Sequence, residues 1–75
     1  MNDKAKANSI FKRNIADCGS DRDTYQATLE EIQIFIKGGG KIVHLNKDNN
    51  DGSCSHKVKF KNKFFIACTT KDEKI

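Results

Sequence analysis

The chain has no proline, no tryptophan, no CxxC pair and no long hydrophobic run. Its longest apolar runs are Ile34-Phe35-Ile36 and Phe64 to Cys68, far below the about 20 residues needed to span a bilayer. Met1 to Lys12 is polar and lacks the apolar stretch of about 7–15 residues in a signal peptide. Three cysteines is an odd number, which argues against the disulfide framework of a small secreted domain. These absences point to a cytoplasmic protein with no membrane association.

Motifs for common chemistries are missing too. Gly38-Gly39-Gly40-Lys41 is not a phosphate-binding P-loop. No Ser or Thr follows the lysine, and the segment runs from helix to strand rather than from strand to helix. Asp48-Asn49-Asn50-Asp51-Gly52 is not a calcium loop, because its carboxylates are misphased and no Glu closes it. Neither His44 nor His56 has a nucleophile and an orienting group matched to it in the sequence. A non-enzymatic protein without cofactor is the expectation.

What is present is a chain of 75 residues, 36% hydrophobic and 32% charged. That length holds a single small domain, which buries only about 60% of its unfolded surface. With so thin a core, a partner, a homo-oligomer or a metal is a candidate contributor to stability. Lys, Asn and Ile make up 27 of the 75 residues. Their codons are AT-rich, which indicates an AT-rich source genome.

The net charge of +4 is unevenly placed. Residues 1–16 carry +3 and residues 17–37 carry −3, so the whole surplus lies in residues 38–75. Residues 53–70 contain four lysines and no acid. Three patches result, basic, acidic and basic.

Periodicity predicts a helix over residues 2–17, with Ala7, Ile10, Phe11 and Ile15 on one side. Asn2 or Asp3 is placed to cap it, and Gly19 to stop it. A second helix is expected over about 22–37, where Tyr25, Leu29, Ile32 and Ile36 recur at helical spacing. Ser20 with Asp23 resembles a capping box, with Thr24 a competing cap. Gly38 is the expected left-handed stop. Strands are expected at 41–46, 54–60 and 64–70. A three-residue turn over Lys61-Asn62-Lys63 would place Val58, Phe60, Phe64, Ile66 and Cys68 on one face, and Lys57, Lys59, Phe65 and Ala67 on the other. The expected fold is an α+β domain over residues 1–75, two N-terminal helices packed on a three-stranded antiparallel meander (ααβββ). Residues 1–9 and 71–75 are expected to fray.

In that register Lys57 and Lys59 share the outer face with Phe65, while Lys61 and Lys63 crown the turn. Lys41 joins from the first strand, and Lys12 and Arg13, with Lys4 and Lys6, extend the path along the N-terminal helix. Lysines neutralise phosphates and an exposed Phe stacks on an unpaired base. Lysines on exposed strands also serve simply to discourage edge-to-edge aggregation. A lesser candidate is a zinc set of Cys54, His56, Cys68 and His44. It requires His44 to face His56, which fails if Val43 and Leu45 face the core. A Cys54–Cys68 disulfide is not expected, since diagonal neighbours lie about 7–8 Å apart. Residues 15–24 loosely resemble a helix-turn-helix. However, the helix offered for recognition carries Asp21, Asp23, Glu30 and Glu31, which phosphates repel.

The run Leu29-Glu30-Glu31-Ile32, continuing through Phe35-Ile36-Lys37-Gly38-Gly39-Gly40-Lys41-Ile42, resembles a helix-to-strand joint of small accessory proteins of T-even-like phages. The likeness covers about a third of the chain and carries no site residue with it. It implies a protein in the host cytoplasm that binds, redirects or blocks a host factor such as a nuclease, toxin or polymerase. Two functions follow as expectations. The first is a basic accessory protein that binds RNA or another single strand through its lysine-rich hairpin. The alternative is a phage-encoded inhibitor of a host defence protein, acting alone or together with RNA.

Overall fold

The computed structural model describes residues 2–75. Met1, the first residue of the segment expected to fray, lies outside the described residues. Helix α1 spans Asp3–Cys18, close to expectation. The Asn2 side chain accepts a hydrogen bond from the Lys4 amide, 2.8 Å, and Asp3 adds negative charge where the helix dipole is positive. Gly19, at φ +92°, ends the helix by donating its N–H to the Ile15 carbonyl.

The second helix does not begin at 22. Thr24–Gln26 form a short strand, β1, and α2 spans only Leu29–Lys37. Thr28 and Glu31 fix that start. The Thr28 hydroxyl accepts the Glu31 amide at 3.2 Å, and the Glu31 carboxylate accepts the Thr28 amide at 3.0 Å. This reciprocal capping box satisfies two donors at once, so Ser20, Asp23 and Thr24 cap nothing here. At the other end the left-handed residue is Gly39, φ +101°, while Gly38 is at φ −83°. Gly38 is needed for closeness instead. A Cβ there would sit 2.6 Å from the Ala7 Cβ and 3.1 Å from the Asp3 carbonyl oxygen.

Strands β2 (Lys41–Asp48), β3 (Ser53–Phe60) and β4 (Lys63–Thr70) form the expected antiparallel meander. The sheet is nonetheless four-stranded and mixed, in the order β1-β4-β3-β2, because β1 pairs parallel to β4. The edge of β4 thereby finds partners: the Phe64 amide donates to the Asp23 carbonyl and the Ala27 amide to the Ile66 carbonyl. The fold is α+β with helices interleaved between strands, rather than two helices followed by three strands.

The turn between β3 and β4 has two residues, not three. Lys61 and Asn62 both take positive φ, +50° and +67°, as a two-residue hairpin turn of matching twist requires. Phe60 therefore pairs with Lys63, Lys59 with Phe64 and Val58 with Phe65. Relative to the expected register β4 is slipped by one residue, which reverses every side chain on it. Phe65 becomes core, fully buried with Val58 and Ala67. Its ring stacks on Phe35 at 4.2 Å and on Tyr25 at 5.5 Å, with Phe11 at 6.0 Å. Phe60 lies 5.1 Å from Phe35. Five of the six aromatic residues thus gather between the helices and one face of the sheet. The sixth, Phe64, is on the other face. No helix among the described residues is long and apolar enough to cross a membrane.

Candidate nucleic-acid interface on the open sheet face

Both helices pack against the face that carries Val58, Phe60, Phe65 and Ala67. Alternation sends their strand neighbours to the opposite face, which no element of the fold covers. Strand pairing arranges that face in three cross-strand rows. The first holds Lys41, Lys59, Phe64 and Thr24; the second His44, Lys57, Ile66 and Gln26; the third Lys47, Ser55 and Cys68. Adjacent strands lie about 4.8 Å apart, so Lys41 and Lys59 stand side by side in the first row, with Lys57 in the second and Lys47 in the third.

The centre of this face is Phe64. The Lys57 ammonium lies 4.6 Å from its ring centroid and that of Lys59 lies 5.7 Å away. Such contacts are worth about 0.5–1 kcal/mol at exposed sites, whereas stacking a base on an aromatic ring is worth about 1–3 kcal/mol. A base stacked on this ring would more than offset the loss of the two lysine contacts. Among the described residues, Lys41, Lys47, Lys57 and Lys59 take part in neither ion pair of the structure, Arg13–Glu31 or Lys71–Asp48.

His44 points to the same open face, its Nε2 at 3.5 Å from the Ser55 hydroxyl. Burial, then the nearby cations of Lys47 and Lys57, hold its pKa below the ordinary histidine range. It stands neutral among the lysines at pH 7. His56 faces inward and is fully buried. Its Nδ1 accepts the Asn46 amide at 3.0 Å, so the proton resides on Nε2, 2.9 Å from the Thr69 hydroxyl. That hydroxyl in turn donates to the Glu73 carbonyl at 2.6 Å. Burial pushes the pKa of His56 down, and the ring is held as the neutral form.

Several expected site residues are placed differently. Phe65 is buried and cannot stack on a base; Phe64 occupies the position intended for it. Lys63 is occupied inside the fold, where its ammonium donates to the Ser20 and Arg22 carbonyls at 2.8 and 2.7 Å. Lys61 leaves the flat face for the end of the sheet, where its ammonium rests 5.5 Å from the Phe11 ring and 5.8 Å from the Phe60 ring. Arg13 pairs with Glu31 between the helices. Lys12 is exposed on α1, in the layer behind the sheet. Neither residue continues the lysine path of the open face. The proposed zinc set is divided by the sheet itself. Cys54 and His56 are buried on the helix side, while Cys68, opposite Ser55, and His44, opposite Lys57, face the other way. Among the described residues no three His, Cys, Asp or Glu side chains converge on a common point.

Phe64, Ile66 and Lys47 are residues of the open face that were not expected there from the sequence. The signal for the first two was the alternation of β4 itself, read against a two-residue turn. Lys47 lies beyond the strand end expected at residue 46, whereas β2 runs to Asp48; the bulges at Ile42/His44 and His44/Lys47 bring His44 to the same face. No family model matches the chain, and neither the curated proteins nor the solved structures give a match.

Proposed function

We propose that this protein is a small non-enzymatic accessory protein that binds unpaired nucleic acid, RNA or single-stranded DNA, across its open sheet face. One observation carries the reading: the sole aromatic residue outside the core lies among lysines on the face that the helices leave bare. Lys41, Lys47, Lys57 and Lys59 hold phosphates, and Phe64 stacks a base. A flat sheet suits single strands, since the open face presents no helix to insert in a major groove. Base identity has little to be read by, so sequence specificity is low.

The test is a salt titration of RNA binding by fluorescence anisotropy. Four phosphate contacts give a log–log slope of about −2.8, a loss of about fiftyfold between 50 and 200 mM salt. The double variant Lys57→Gln/Lys59→Gln should lower that slope by about 1.4. Unchanged retention of RNA by the double variant would sink the reading.

A second reading, a phage-encoded inhibitor of a host toxin or nuclease, draws on the edge strand β2. Ile42 and Val43 there are 48% and 47% exposed, an apolar step beside Lys41 that fits a protein partner. Such a contact keeps its affinity as salt rises, whereas strand binding does not.

A further inference from the structure

The lysine rows end at a concavity. Where β2 begins and β3 ends, an open depression of about 440 Å³ is lined by Lys4, Lys41, Lys59 and Lys61, with the Gly38-Gly39 turn and Asn62 completing its rim. Three separate parts of the chain deliver these cations: the first turn of α1, the start of β2, and the β3–β4 turn. No carboxylate is among the lining residues. The left-handed Lys61-Asn62 turn aims Lys61 toward the helices, and the Phe11 and Phe60 rings hold its ammonium there.

We infer that this depression seats the terminal phosphate of a nucleic-acid strand, a site that rests on the proposed binding of single strands along the adjoining face. Lys41 and Lys59 belong to both, as the last row of the flat face and the first wall of the depression. A strand running over Lys57 and then along the Phe64, Lys59 and Lys41 row reaches the Gly38-Gly39 turn, where the depression opens. A phosphate monoester carries about −1.5 to −2 charges at pH 7 against −1 for an internal diester, and a depression lined by four lysines and no carboxylate favours the higher charge. The volume lies within the roughly 300–1,000 Å³ of small-ligand sites, ample for a terminal nucleotide and not only for its phosphate.

The experiment compares one oligonucleotide sequence with a 5′-phosphate, a 3′-phosphate or hydroxyls at both ends, each binding the full chain at fixed salt. One phosphorylated form should bind about tenfold tighter than the hydroxyl form, and which one it is assigns the strand's direction. Lys4→Gln/Lys61→Gln should bring that ratio close to one. Lys4→Gln alone, on an exposed first-turn residue, should lower it several-fold, whereas Lys57→Gln should weaken all three forms and leave the ratio standing. Equal binding of the three forms, or a ratio that survives Lys4→Gln/Lys61→Gln, overturns the seat while leaving the open-face reading intact. If no oligonucleotide binds in any of the three forms, the open-face reading fails and the seat for a strand end fails with it, even where a nucleoside monophosphate shifts the amide NMR signals of Gly39, Lys61 and Asn62.

Discussion

Replacing Phe64 and Phe65 by alanine, one at a time, separates two roles that adjacent and identical residues play. Phe65 is completely buried, with the rings of Phe35, Tyr25 and Phe11 within 6.0 Å. Phe65→Ala loses the transfer energy of the ring and leaves a cavity, together about 3–5 kcal/mol. A domain of this length has a total stability of about 4–11 kcal/mol, so this one change removes about a quarter of it or more. At a urea dependence of about 1 kcal/mol per molar, the unfolding midpoint should fall by about 3–5 M. Phe64→Ala loses two lysine contacts and some strand preference, about 1 kcal/mol, and its midpoint should fall by about 1 M. Binding should rank the variants the other way at a denaturant-free temperature where both are folded. Loss of one base stack costs Phe64→Ala at least about fivefold in affinity for a single strand. Circular dichroism with urea and anisotropy with a labelled RNA read the two quantities. Equal midpoints for the two variants would refute the two-residue register, and with it the placement of the aromatic among the lysines.

Two more outcomes follow from the structure. The pKa of His56 is lowered in the fold by burial, so below about pH 6.5 the unfolded chain takes up a proton that the native chain refuses. Stability should hold steady above that pH and fall below it, with a slope approaching about 1.4 kcal/mol per pH unit from His56, to which the lowered pKa of His44 adds in the same window. Urea midpoints at pH 7.5 and 5.5 check this, and a flat profile would mean that the ring is not held neutral. The lowered carboxylates of Asp48 and Asp51 add a separate loss only below the ordinary carboxylate range. Gly38→Ala should destabilise the protein by about 1–3 kcal/mol through overpacking, because the new methyl meets Ala7 on α1. A thermal midpoint equal to that of the parent would show that the helices are not in contact there.

Much of the fold was legible because its signals are local. The Asn2 cap and Gly19 stop bound α1, and the three glycines end α2 before β2. The error at Tyr25 has a physical cause. Its spacing from Leu29 and Ile32 suits a helical stripe, yet its burial comes from pairing beside Phe65, forty residues away, which no local pattern reports. The Thr28–Glu31 box was the local clue that the helix starts later. The register error is subtler. Lys57 and Lys59 face outward in either register, because the slip moves only β4, so the lysine face was readable while its aromatic was not. Lys61 has no intrinsic preference for positive φ. Burial of Phe65 among Tyr25 and Phe35 selects the strained two-residue turn.

Strand β1 also sets an order of assembly. The β3–β4 hairpin closes over two residues and carries Lys57, Lys59 and Phe64 without help from elsewhere. β1 pairs with β4 across a separation of forty residues, Thr24 to Phe64, and closing a longer loop costs more entropy. The hairpin is therefore the early unit of folding, and β1 docks onto a sheet already formed. Because α1 and α2 flank that late strand in the chain, the aromatic core is completed only when the N-terminal half closes over it.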